Sequence, residues 1–344
     1  MSGTSLDGID LAEIHFHISE KGIWDFKIGI TETIAYPLIW KNNLQEAIFY
    51  SEERMKDFNI QYTQYLSDVI LSFIEKYQLK NLDAVCSHGH TIWHQPENGM
   101  TLQIGNLPEL ATSIKQKVVC DFRVQDVALG GNGAPLVPIG DRLLFNDYNY
   151  CLNLGGFANI SFESENKRIA YDVCPVNIVL NYLTEKIGFP YDDGGKFASE
   201  GKIDKELFQQ LNSLKYYQKK PPKSLGLEWV QKEIFSLFET STISVLAKIA
   251  TFTEHVAFQL VLQFQENSSV LVTGGGAYNS YLLKRIQFYK NIKLVVPASE
   301  IIEFKEALIF GLLGVLRLRN QNNCLASVTG AKKDHSSGFV YLSK

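Results

Sequence analysis

The chain has 344 residues, 45% of them hydrophobic and 20% charged, with a formal net charge of -4. That is the make-up of a folded chain of one large or two ordinary domains, and it excludes an intrinsically disordered one. Mild acidity without a basic stripe argues against a nucleic-acid partner, and the densest basic stretch, "KYYQKKPPK" at 215–223, reads as a solvated loop.

In chain order, "IHFHI" (14–18) alternates apolar and polar residues and predicts a strand, with the β-branched run 26–36 as its partner. Between residues 58 and 77, apolar side chains recur every three or four positions, which predicts an amphipathic helix. A buried strand is expected at 82–87, and the Gly- and Pro-rich stretch 121–141 reads as a crossing between two halves. The second half restarts with strands at 150–154, 157–162 and 168–172. A helix at 175–188 carries Pro175 near its start, where proline is tolerated. Helices follow at 203–212, 228–238 and 243–266, then a strand at 270–274, a helix at 279–289, a strand at 293–297 and a helix at 303–319. Strands alternating with helices predict an α/β protein.

The five cysteines are scattered, odd in number and form no CxxC pair, which fits a reducing compartment. The N-terminus lacks a signal-peptide pattern, and the longest apolar run, 307–316, is too short to span a bilayer. A cytoplasmic chain with no membrane partner is expected.

Three glycine-rich turns carry the chemistry: "SGTSLDG" (2–8), "NLGGFANIS" (153–161) and "TGGGAYN" (273–279). Glycines let backbone N–H groups approach an anion, and hydroxyls add donors. Each turn alone also fits a tight hairpin or a helix entry. Walker A and protein-kinase signatures are absent, and the third turn lacks the last glycine of a dinucleotide fingerprint. Asp7 and Asp10 follow the first turn and suit Mg²⁺ held through water. Asp172, ending a strand before the 175–188 helix, is placed either as a general base or as a helix cap. Arg123, among Asp121 and Asp126, reads as a structural ion pair or as a fork for a sugar or carboxylate. Glu306 falls in the expected first turn of the last helix, where the macrodipole also favours an acid. A competing pattern is the loop His88, His90, His94, which could seed a zinc or di-metal hydrolase site with Asp121, Asp126, Asp141 or His255.

The motifs "MSGTSLDGID", "SHGHTIWHQP", "TLQIGN", "DFRVQDVALGGNGAPLVP", "NLGGFANIS", "DVCPVN", "PKSLG", "VTGGGAYN", "FKEA" and "SVTGA" occur in this order from residue 1 to about 331. In this the chain resembles the anhydro-N-acetylmuramic acid kinases. The resemblance implies the actin/Hsp70/sugar-kinase architecture: two RNase-H-like domains, here 1–145 and 146–344, with an ATP cleft between them and the last helix packing on the first. It implies a strand ahead of the first turn that this sequence lacks. The implied activity is hydrolysis of the 1,6-anhydro bond of 1,6-anhydro-N-acetylmuramic acid with phosphorylation of its 6-oxygen, using ATP and Mg²⁺, in a homodimer.

By motif position, Asp172 matches the catalytic base, and Thr91, Arg123 and Glu306 match the sugar site. Gly3, Thr4, Ser5, Leu6, Asp7, Gly8 and Asp10 match the ATP loop, joined by Gly155, Gly156, Asn159, Gly274, Gly275, Gly276 and Asn279; Asp7 and Asp10 are the expected Mg²⁺ partners. The chain departs from the family pattern at "DVCPVN" for "DTGPGN", at His90 and Asn132 for Gln, and at Leu227 for Arg. The changed "DVCPVN" and the missing first strand motivate an alternative, a nucleotide-binding member without catalysis.

Overall fold

The computed structural model describes residues 1–3 and 6–343, so the expected roles of Thr4 and Ser5 lie outside the described residues. The chain divides into two compact units, Met1–Leu144 with Phe304–Lys344, and Phe145–Glu303.

The first unit opens with a long antiparallel hairpin, β1 (Gly8–Ile18) and β2 (Trp24–Ala35), in the register Gly8–Ala35 to Ile18–Trp24. Helix α1 (Leu38–Glu46) leads to α2 (Glu52–Lys76), which begins earlier than its apolar periodicity because Ser51 caps it by accepting from the Arg54 amide. Its buried stripe includes Phe58, Tyr62, Leu66, Ile70 and Phe73. The strand expected at 82–87 is only β3 (Val85–Cys86). A second hairpin follows, β4 (His90–Gln95) with β5 (Met100–Ile104), then α3 (Glu109–Ile114) and β6 (Val118–Cys120), which pairs parallel to β3. The 121–141 stretch is not a crossing: it folds as α4 (Val124–Ala128) and α5 (Pro138–Leu144), inside the first unit. Its glycines serve turns within that unit, and the passage to the second unit comes at Leu144–Phe145.

The second unit is built on a five-stranded sheet. Strands β7 (Tyr150–Leu154), β8 (Phe157–Ser164) and β9 (Lys167–Pro175) form an antiparallel meander. Pro175 ends β9 and does not open the next helix, α6 (Asn177–Glu185). Helices α7 (Lys196–Glu200) and α8 (Lys205–Asn212) follow. The expected 228–238 helix is α9 (Leu227–Trp229) and α10 (Ser236–Thr240) around a π-helical stretch, Val230–Phe235. Helix α11 (Val245–Val261) packs across the unit, and β10 (Ser269–Thr273), α12 (Ser280–Tyr289) and β11 (Lys293–Val295) complete it. The strand order is β11-β10-β7-β8-β9, with β10 parallel to both β11 and β7. The core of this unit gathers Leu152, Leu154, Ile160, Val179, Phe252 and Leu260, all buried. Each such side chain contributes roughly 1.5–3 kcal/mol.

Helix α13 (Ser299–Leu318) returns the chain to the first unit, followed by α14 (Ala326–Thr329) and β12 (Phe339–Tyr341), which pairs antiparallel to β6. Gly311 lets α13 lie against Ile14 and Phe16, and a side chain at Gly314 would collide with Cys86. Ser2 bridges Ile9 antiparallel and His90 parallel, lying between two strands that do not pair with each other. Beyond it a cavity of about 350 Å³ lies between residues 9–16 and 82–87, lined by Leu66, Ile70 and Phe73 on one side and Phe310 and Gly311 on the other.

Candidate active site

In the second unit, parallel β7 and β10 bring their following turns to the same sheet end, where open α/β sheets bind ligands. Gly274 has φ +78°, and a Cβ there would sit 2.7 Å from Asn153 Oδ1 and 2.9 Å from the Leu154 carbonyl carbon. Gly276 likewise abuts Leu154 Cβ at 2.6 Å. These two glycines press the third turn onto β7. Gly155, Gly156 and Gly275 differ: an added Cβ would meet nothing nearer than 3.4 Å, so they border open space. The Gly155 and Gly156 carbonyls accept from Asn177 and Val176, which tethers their turn to the start of α6. Asn279 caps α12 by accepting from the Leu282 amide at 2.9 Å, so its Oδ1 is already engaged.

Asp172 lies within β9, not at a helix start; α6 begins after Val176, without a side-chain cap. The capping role is therefore excluded. Asp172 is the cross-strand partner of Asn159, beside a register shift that leaves Val173 as an extra residue. Bulges of this kind re-aim side chains next to active sites. Asn159 Nδ2 donates to Asp172 Oδ1, and the Leu225 amide donates to Oδ2 at 2.8 Å. Burial raises the Asp172 carboxyl above its ordinary range, opposed by these two hydrogen bonds.

The basic stretch at 215–223 is not merely a solvated loop. Tyr216 is buried and donates to the Asp172 carbonyl at 2.6 Å, and the Lys223 carbonyl accepts from the Asp172 amide at 3.2 Å. Lys223 Nζ stands 4.7 Å from the Tyr216 ring centroid. Sequence reasoning missed Tyr216, Lys223 and Leu225 as the wall around Asp172; the signal available was the "PKSLG" motif.

In the first unit, Arg123 Nε donates to His88 Nε2 at 2.9 Å and Nη1 to the Gly133 carbonyl at 2.7 Å. His88 Nδ1 faces the Gly89 carbonyl at 2.9 Å, which sets the tautomer with Nε2 as acceptor. Burial first, then the Arg123 charge, holds the His88 pKa well below its usual value. Arg123 itself is lowered by burial, with Glu306 acting in the opposite sense, so these two charges lie in electrostatic range. The Arg123 guanidinium keeps Nη2 without a hydrogen-bond partner among the described residues. Glu306 is exposed, but α13 starts at Ser299, so it does not occupy the first turn, and the macrodipole account fails.

Thr91 lies opposite Gln103 in the β4–β5 hairpin, next to a bulge. Gln103 Nε2 donates to Thr101 Oγ1 at 2.9 Å, while its buried Oε1 has no hydrogen-bond partner among the described residues. An orphaned buried acceptor beside Thr91 is a second feature that sequence reasoning missed, although "TLQIGN" contains it. Ser2 is tied to His90 Nδ1 at 2.7 Å and to Tyr36 at 2.6 Å, and Tyr36 is bonded on to Tyr62. Leu6 has φ +60°, and its amide donates to the Gly3 carbonyl at 3.2 Å, closing the first turn. Gly8 is required where a side chain would strike the Ile34 carbonyl. Asp7 is exposed; Asp10 accepts from Thr33 through Oδ1 at 2.7 Å and keeps Oδ2 free among the described residues.

The His-loop metal site does not assemble. His88 is held by Arg123, His90 by Ser2, and His94 by Thr101 at 3.0 Å, while His255 is bonded to Asn212 and Tyr217 in the second unit. The spacing looked like metal ligation because a loop after a strand gathers its histidines in sequence without converging them in space.

A family model described as anhydro-N-acetylmuramic acid kinase matches residues 1–343. Proteins of that name are similar along their lengths: one from Sulfurimonas denitrificans is 31% identical, covering 99% of this chain and 98% of that protein. Another, from Clostridioides difficile, is 32% identical over 96% of this chain and 94% of its own. A third, from Mannheimia succiniciproducens, is 32% identical over 99% and 97%. With the motif residues placed as above and the match running the length of the fold, the chain belongs to the anhydro-N-acetylmuramic acid kinase family.

Proposed function

We propose that this chain is an ATP-dependent kinase that opens the 1,6-anhydro ring of 1,6-anhydro-N-acetylmuramic acid and phosphorylates the released 6-oxygen. The products are N-acetylmuramic acid 6-phosphate and ADP, and the activity serves murein recycling. The observation that carries this is the full-length family match joined to a single base, Asp172, held at Oδ1 by Asn159 and at Oδ2 by the Leu225 amide.

Asp172 takes a proton from the water that attacks carbon 1. The C1–O6 bond breaks, and O6 forms the new bond to the γ-phosphorus as the bond to the ADP oxygen breaks. Burial keeps the carboxylate weakly solvated and so a stronger base, while one hydrogen bond to each oxygen holds its orientation. Arg123, oriented by His88 and Gly133, offers its outer N–H groups to the sugar. Thr91 and the orphaned Gln103 Oε1 supply further polar contacts, and Glu306 balances the Arg123 charge. The open turns at Gly155, Gly156 and Gly275, with Asn159, and the Gly3–Asp10 turn are assigned to nucleotide phosphates. The tightly packed Gly274 and Gly276 and the capping Asn279 shape that turn.

Mg²⁺, when bound, neutralises charge on the transferring phosphoryl group. Asp7 and Asp10 fit it, through water, because Asp7 is exposed and Asp10 Oδ2 is unengaged among the described residues. Two RNase-H-like domains, a homodimer and a cytoplasmic location extend the same proposal; among the described residues no helix is long and apolar enough to cross a membrane. The test is direct: pure protein with ATP, Mg²⁺ and the anhydrosugar yields a monophosphorylated, ring-opened sugar and equimolar ADP. ADP release that does not depend on the sugar contradicts the proposal.

A further inference from the structure

Asp126, Cys324 and His335 converge inside the first unit, with one potential ligand atom from each within 4.8 Å of the others. They are 0%, 1% and 4% exposed. The backbone brings two of them together: Cys324 and His335 form an isolated antiparallel bridge, exchanging N–H···O bonds of 3.1 and 3.2 Å. Side chains directly opposite in such a pair share a face, and here that face meets α4, which carries Asp126.

Proton positions sharpen the picture. His335 Nδ1 lies 3.1 Å from the Lys333 carbonyl, which only accepts, so Nδ1 carries a hydrogen and Nε2 is the nitrogen left to ligate. Nε2 stands 3.5 Å from Asp126 Oδ1, and it is a buried atom with no hydrogen-bond partner among the described residues. A ring nitrogen and a carboxylate oxygen face each other with a thiol within 4.8 Å. Asp126 is otherwise ordered: Oδ1 accepts from Thr329 and Oδ2 from the Gly133 amide, both at 2.7 Å, and each oxygen retains a lone pair. An imidazole fixed through its other nitrogen by a backbone carbonyl, with Nε2 turned to a carboxylate, is the outer-shell arrangement of metal-bound histidine.

We propose that Asp126, Cys324 and His335 bind a divalent zinc-type cation, with water in the fourth position. Tetrahedral zinc with N at about 2.0–2.1 Å and S at about 2.3 Å sets its ligand atoms about 3.4–3.7 Å apart; the Asp126 Oδ1–His335 Nε2 separation is 3.5 Å, and all three atoms lie within 4.8 Å. Binding releases the thiol proton and forms Zn–N, Zn–S and Zn–O bonds without redox change. The cation staples the 324–335 segment to the turn that holds Gly133, and through Gly133 to Arg123. Its role is structural and independent of the kinase assignment.

The test uses the full chain, stripped with chelator and titrated with Co²⁺ and then Zn²⁺. The expected result is one metal per chain, a thiolate-to-Co²⁺ charge-transfer band, and a higher Tm with Zn²⁺. Cys324→Ser removes the band and His335→Gln weakens binding by about tenfold or more, while Cys151→Ser in the second unit leaves both intact. If either variant fails to fold, the wild-type Co²⁺ band with the Cys151→Ser control still decides. Substoichiometric metal with no band, or a band that survives Cys324→Ser, overturns the proposal and leaves Asp126, Cys324 and His335 as buried packing.

Discussion

The Leu225 amide donates to Asp172 Oδ2 at 2.8 Å, across 53 residues of sequence. This contact holds the carboxyl of an acid inside a strand, while Tyr216 and Lys223 bracket its backbone from the same segment; the proposed mechanism uses that carboxyl as the base. Replacing Asp172 by Asn preserves shape and most hydrogen-bonding capacity but removes the base. Turnover is expected to fall by about 10²–10⁴-fold or more with ATP binding retained. Steady-state kinetics and nucleotide titration of the variant check this.

The pH profile follows from the same carboxyl. Its pKa is raised by burial, and the active form is ionised, so kcat/KM falls as pH drops through a value above the ordinary carboxylate range. An acid limb at the unperturbed Asp position contradicts a buried base.

Arg123→Lys removes the Nε donor to His88 and the planar fork. A hydrogen bond to a charged group contributes about 1.5–3 kcal/mol, so KM for the sugar is expected to rise by about 10–100-fold. KM for ATP and Tm serve as controls and change far less.

Much of this was legible in the sequence and some was not. The first hairpin, the long amphipathic helix and the β–α alternation follow from periodicity, and the motif order pointed to the family; the β4–β5 hairpin was read as a histidine-bearing loop. Asp172 was read as a strand end before a helix, because Pro175 looked like a helix start and is in fact the last residue of β9. Glu306 was assigned to a first turn because the helix start at Ser299 has no clear apolar onset. The basic 215–223 stretch looked solvated since charge dominates its composition, yet Tyr216 within it is buried against the Asp172 backbone. Long-range hydrogen bonds of this kind leave no periodic trace.

The glycines of the third turn separate shape from binding. Gly274→Ala is strained at φ +78° and collides with Asn153 and Leu154, so it is expected to cost more than about 1 kcal/mol of stability. Gly275→Ala meets nothing closer than 3.8 Å, so it is expected to keep Tm and raise KM for ATP. Thermal melts paired with kinetics distinguish them.

His90, where the family pattern has Gln, makes stability acid-sensitive. Burial lowers its pKa to about 4. The unfolded state therefore binds the proton first, and stability is lost as pH falls from about 6.5 toward 4. Across that window His90 accounts for up to about 3 kcal/mol. His90→Gln is expected to flatten this part of the curve in denaturant melts at pH 4–7; an unchanged slope would place the acid sensitivity elsewhere.

The most direct test of the central claim is mass spectrometry of the sugar formed with ATP, Mg²⁺ and the anhydrosugar in ¹⁸O-labelled water. One phosphate on the 6-oxygen with label at carbon 1 and none in the phosphate is the predicted result. Label in the phosphate, or ADP formed with the anhydro ring intact, would contradict it.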